Sequence, residues 1–127
     1  MRYLGSCLMK IKTDYFANWR NWDENYVPIS ICRFPPKGWK GIEYKDVAPE
    51  EWLLEGYKTG NISRELYIKF YVNMIKNIGR ENILRELERL SGGKDVALIC
   101  YEAPGDFCHR HILELILNTT CSEEEEL

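Results

Sequence analysis

Cys100, Glu102, Cys108, His109, Arg110 and His111 place two thiols, a carboxylate, two imidazoles and a guanidinium within about a dozen residues of one another. A cysteine beside an imidazole makes an activated nucleophile, and a carboxylate at a strand end works as a general acid or base. The segment around them reads as a buried strand from Asp95 to Tyr101, a tight Pro-Gly loop to Phe107, and the first turn of a helix opening at Cys108. Free amides and the helix dipole at such a start favour an anion, either a phosphate or the thiolate of Cys108 itself. His109 and Arg110, next along, are expected to lower that thiol's pKa further. Glu102, Cys108 and His109 are therefore the candidate catalytic groups, and Arg110 a candidate anion-binding one. A blander reading competes. At helical spacing Cys108 shares a stripe with Ile112, Leu115 and Ile116, which makes it a core thiol, and Arg110 points away into a surface ion pair with Glu114.

Several specific chemistries fail on spacing. At the Cys-to-Arg separation of the tyrosine-phosphatase loop, Cys100 meets Asp106 and Cys108 meets Glu114. The nucleophile-elbow, P-loop and dinucleotide-binding glycine patterns are missing from the chain. Cys100, Cys108, His109 and His111 are metal-ligand types, but without CxxC or HExxH spacing and with Cys100 in a buried strand, no metal site is expected. The sequence points to no particular cofactor.

A second concentration lies between Arg33 and Lys45. Arg33, Lys37, Lys40 and Lys45 against Glu43 give this loop a net charge of +3, interleaved with Trp39, Tyr44, two prolines and two glycines. Long loops in small domains are usually functional or disordered; the aromatics weigh against disorder, so Arg33, Lys37 and Trp39 are candidate ligand-binding residues. Trp19 and Trp22 either cover an edge of the core or line a pocket, with covering the favoured role.

The elements that must position these groups follow from periodicity. Tyr3 to Ile11 reads as a first strand, and Asp14 to Asn25 as a loop or short helix beyond it. Val27 to Arg33 reads as a second strand with Pro28 near its start, where a missing donor is tolerated. Pro49 opens a helix that ends by Gly60. Ser63 caps the next helix, whose Leu66, Phe70, Met74 and Ile78 recur at core spacing, widened by Tyr67, Tyr71 and Ile75. Arg80 to Ser91 forms another, with Ile83, Leu84, Leu87 and Leu90 on one side and Glu81 and Arg85 paired on the surface. Val96 to Tyr101, apolar on both faces, reads as a central parallel strand. A last helix runs from about Cys108 to Asn118. These elements predict one small α/β domain over 1–118, a mostly parallel sheet flanked by helices, with 119–127 as an acidic disordered tail.

The totals bound the partners. The 17 basic and 20 acidic residues give −3, and without the four glutamates of 123–126 the remaining 16 acids leave a body at +1. Such a body does not coat nucleic acid, although the basic loop leaves local nucleic-acid contact open. No apolar run approaches the ~18 residues that span a bilayer, and the start lacks a signal-peptide pattern. A cytoplasmic protein without a membrane partner is expected, its five cysteines reduced rather than paired.

Leu98-Ile99-Cys100-Tyr101-Glu102, a short Pro-Gly loop, then Cys108-His109-Arg110-His111 resembles the C-terminal signature of the YeaO-like proteins, a family defined as a domain of unknown function. Ile31-Cys32-Arg33-Phe34-Pro35-Pro36, with Trp39, Tyr44, Ala48 and Pro49, resembles that family's earlier motif. The likeness runs from about Val27 to Leu117. It implies a compact intracellular α/β domain in which Glu102, Cys108, His109 and Arg110 form one site, and it implies no particular reaction.

Two functions follow as expectations. One is a small hydrolase or transferase acting on a phosphate-bearing or nucleotide-like molecule held at the helix start by Arg110 and Arg33. The other is a non-catalytic module that binds a nucleotide, nucleic acid or protein through loop 33–45.

Overall fold

The computed structural model describes residues 9–101 and 108–126, with side chains as far as Asn118. Among these residues four strands form one sheet: β1 (Ile11–Tyr15), β2 (Val27–Ser30), β3 (Ile42–Glu43) and β4 (Val96–Cys100). Their order is β1-β4-β2-β3 and each pairing is parallel. The helices are α1 (Glu51–Lys58), α2 (Arg64–Ile78), α3 (Arg80–Ser91) and α4 (His109–Glu126), with 3-10 turns at Phe16–Asn21 and Lys45–Val47. The chain is thus a small single α/β domain, as its pattern predicts.

β4 is central because it is apolar throughout. Each of its five residues is buried, and it pairs with β1 on one side and β2 on the other. Tyr15 lies opposite Cys100 and Ser30 opposite Ile99, so β1, β2 and β4 end level with one another. In parallel α/β sheets the ground beyond those carboxyl ends is where ligands bind.

Several boundaries differ from the sequence pattern. The first described strand is Ile11–Tyr15, not Tyr3–Ile11, most of which lies outside the described residues. The sequence reading ends a strand at Ile11 and opens a loop or short helix at Asp14, whereas the observed strand joins them, its last four residues half-buried. There Lys12 reaches Asp23 at 3.5 Å and lies over the Tyr26 ring. β2 ends at Ser30, before Arg33, and the long loop hides the two-residue β3, whose following Tyr44 N–H donates to the Ser30 carbonyl at 2.8 Å.

The helices form where caps and stripes put them. The Ser63 hydroxyl accepts the Leu66 amide at 3.2 Å, and Gly92 closes α3 at φ +69°, a left-handed value that suits glycine. The buried face of α3 carries Ile83, Leu84 and Leu87. On α2 the expected face is rotated. Tyr67, Tyr71 and Ile75 are buried, while Leu66 and Phe70 stay exposed, Phe70 lying edge-on to Trp52 of α1. α4 continues to Glu126, past the expected end near Asn118, and packs on β1 and β4. α2 touches all three other helices. Among the described residues no helix is long and apolar enough to cross a membrane.

Candidate active site

The chain places a sulfur at each of three ends. Cys32 lies just beyond β2, Cys100 is the last residue of β4, and Cys108 immediately precedes α4. All three are buried, none is in a disulfide, and they pack against Phe16, the residue following β1. Cys100 Sγ is the middle member, 3.3 Å from Cys32 Sγ and 3.0 Å from Cys108 Sγ, with both neighbours donating toward it. Cys32 and Cys100 sit in apolar runs of the sequence, where a buried cysteine reads as a small hydrophobe. They are buried as such a reading requires, but their adjacency depends on β2 and β4 lying side by side, which no spacing reveals.

His109 completes the cluster. Its Nε2 lies 2.8 Å from the Ile31 carbonyl oxygen. A carbonyl only accepts, so Nε2 carries a proton, and in the neutral ring Nδ1 then presents its lone pair. Nδ1 faces the sulfurs, 3.7 Å from Cys108 Sγ and 3.9 Å from Cys100 Sγ. The ring is buried edge-on against Tyr71, whose hydroxyl donates to the Val47 carbonyl at 2.7 Å. The geometry supplies a proton acceptor aimed at thiols, with its tautomer fixed from behind.

Cys108 departs from the sequence expectation. Its hydrogen bond to Cys100 and its burial push its pKa well up, and these outweigh the downward pull of His109. The helix start does not make it the ready thiolate that was expected. The other stripe reading also shifts. Cys108 is buried, but Leu113 and Leu117 form the buried line of α4 while Leu115 is exposed.

Arg110 is not a surface residue. It is 1% exposed, and its Nε and Nη1 have no hydrogen-bond partner among the described residues. Its charge lowers the pKa of Glu114, which burial raises more strongly. His111, one residue further, is exposed. Glu102 lies outside the described residues.

The expected ligand-binding residues divide between two hollows. A cavity of about 310 Å³ is lined by Cys32, Arg33, Phe34, Lys58, Cys100 and His109 among others. It lies in the size range of small-molecule sites. Here Arg33 holds the following loop, donating from Nε to the Pro49 carbonyl and from Nη2 to the Ala48 carbonyl, each at 3.1 Å. Cys108 and Arg110 do not line this cavity. Lys37 and Trp39 instead line a cleft of about 520 Å³ with Phe16, Trp19 and Trp22. Trp39 lies edge-on to both Phe16 and Trp22. The two early tryptophans therefore line a cleft rather than lid the core, and Trp19 is 60% exposed. Sequence reasoning also passed over Lys58, whose place on the cavity wall comes from α1 packing beside loop 31–34.

Cys100, Cys108 and His109 bring their donor atoms within 4.8 Å of one another. The absence of a recognised spacing motif did not prevent this, because the ligand types arrive from separate elements.

The model of the active DUF488-N3 subclade matches residues 11–120, and the chain belongs to the DUF488 family. No curated protein and no solved structure matches it significantly.

Proposed function

We propose that this DUF488 domain is a small thiol-dependent hydrolase or transferase acting on a phosphate-bearing or nucleotide-like molecule. One observation carries the reading: Cys100 and His109 share the wall of the 310 Å³ cavity beyond the carboxyl ends of the strands, with Arg33 and Lys58 on the same wall. The subclade's description as active is in keeping with it, and the CYE…CHR likeness supports reading the chain as a YeaO-like member.

In this reading Cys100, not Cys108, is the nucleophile, since it reaches the cavity and Cys108 does not. Its sulfur attacks an electrophilic carbon or phosphorus while its proton passes to His109 Nδ1. The leaving group departs with that proton. Water, or a second acceptor in a transferase, then breaks the bond to sulfur and returns a proton to the cluster. Cys32 and Cys108 donate S–H hydrogen bonds toward the developing charge on Cys100. Lys58 and Arg33 attract the substrate's anionic group, Lys58 taking the place that the sequence gives to Arg110 beside Arg33. Glu102 is retained as a candidate acid or base.

The cleft at Trp39 and Lys37 favours a second reading, in which the domain binds a nucleobase or nucleic-acid end without chemistry. A thermal-shift screen of nucleotides and inorganic phosphate, run on wild type, Lys58→Ala, Trp39→Ala and Cys100→Ala, separates the two. The enzyme reading expects a ligand shift that Lys58→Ala weakens and Cys100→Ala keeps, with turnover of that ligand lost in Cys100→Ala. A shift lost only in Trp39→Ala, without turnover, supports the binding module. If Cys100→Ala turns the ligand over at the wild-type rate, the thiol mechanism is wrong.

A further inference from the structure

We propose that Cys32, Cys100, Cys108 and His109 bind a thiophilic divalent ion of the zinc class through three sulfurs and one imidazole nitrogen. Three of the four donors are already gathered. Cys100, Cys108 and His109 lie within 4.8 Å of one another, and Cys32, outside that group but 3.3 Å from Cys100, turns in to join them. Around a tetrahedral zinc, with thiolates at about 2.3 Å and imidazole at about 2.0 Å, ligand atoms sit about 3.5 to 3.8 Å apart. The nitrogen-to-sulfur separations of 3.7 and 3.9 Å match that spacing. The sulfur pairs at 3.0 and 3.3 Å are somewhat closer, and small side-chain rotations open them.

The second observation is the orientation of His109. Metal-bound histidines are typically held by a hydrogen bond from the far ring nitrogen to a carbonyl or carboxylate. Here the Ile31 carbonyl performs that task on Nε2 and leaves Nδ1 free to ligate. The donor set selects the ion, since thiolate with imidazole suits zinc and disfavours magnesium or calcium. Three thiolates around a doubly charged ion leave one negative charge, and the cations Arg33 and Lys58 line the same cavity. That cavity also supplies the entry path. Carrying ligands just beyond β2, at the end of β4 and at the start of α4 rather than on one loop explains the missing CxxC.

The inference does not need the enzyme reading, although the ion would occupy the sulfur that the proposed reaction uses. Cobalt(II) is the probe, added to the full reduced chain without oxygen. We expect a sulfur-to-cobalt charge-transfer band and the strong visible bands of a tetrahedral site, displaced by zinc. Cys100→Ser and His109→Ala should abolish or shift these bands, and Cys121→Ser and His111→Ala should keep them. Circular dichroism establishes that each variant is folded. Should either of the first two fail to fold, Cys32→Ser is read instead, with a shifted spectrum expected from the loss of one sulfur. In parallel, iodoacetamide labelling mapped by mass spectrometry should show Cys100 protected by zinc. Folded wild type without a sulfur-to-cobalt band, or unaltered bands in a folded cluster variant, would overturn the site. An unprotected Cys100 would overturn it as well.

Discussion

His109 owes its role to the bond on its far side. Ile31 is wholly buried, so its carbonyl has no water to turn to when the imidazole leaves. His109→Ala should therefore cost about 1–3 kcal/mol of folding stability in urea denaturation. Tyr71→Phe, which strips the donor from the Val47 carbonyl, should cost about 1 kcal/mol or somewhat more. At this scale the sequence reveals types but not neighbours. The adjacency of Cys108 and His109 is visible in the chain. That of Cys32 and Cys100 is not, because it depends on strand order. Arg110 looked outward on a helical wheel drawn through Cys108, and it is buried because the true inward line of α4 passes through Leu113 and Leu117.

Elements are more legible, and their termini most of all. Ser63 and Gly92 cap helices as their types suggest. Ser63→Ala should lower stability by about 1 kcal/mol, and Ser63→Asp should largely restore it, both read from thermal melts. Gly92→Ala, at φ +69°, should cost about 1 kcal/mol by the same measurement. The stripe of α2 was legible only to within one residue. Two apolar lines run along it, and periodicity does not say that Phe70 belongs with Trp52 at the surface while Tyr71 belongs beneath. β1 was split between an expected strand and an expected loop because a half-buried edge strand carries residues such as Lys12 and Asp14 that mimic a loop.

At the scale of the whole molecule, strands from distant parts of the chain share one sheet. The Lys10 amide bonds Asp95 at 2.8 Å beside the β1–β4 pairing. Stability should fall in alkali. Burial, with Asp46 and Glu86 nearby, pushes Tyr44 up to about 12, and burial raises Tyr71 well above its ordinary value. The unfolded chain releases these phenolic protons near pH ~10 while the folded chain keeps them. Folding free energy is thus intact below about pH 10 and declines above it. Urea midpoints at pH 8 and pH 11 should differ accordingly, and Tyr44→Phe should reduce the difference. If zinc binds as proposed, an ion at 100 times its Kd should add about 2.7 kcal/mol to folding, removable by chelator.

Phe16 stands beside both the sulfurs and the tryptophans. It packs against the cysteine cluster and lines the aromatic cleft, and its ring meets Trp39 and Tyr101 at 5.3 and 5.2 Å between centroids. Tyr101 in turn lines the cavity that Cys100 and His109 share. The side chain is therefore a spacer between soft nucleophiles and aromatic faces. Phe16→Ala would thin that spacer and bring a molecule seated among the tryptophans nearer to sulfur.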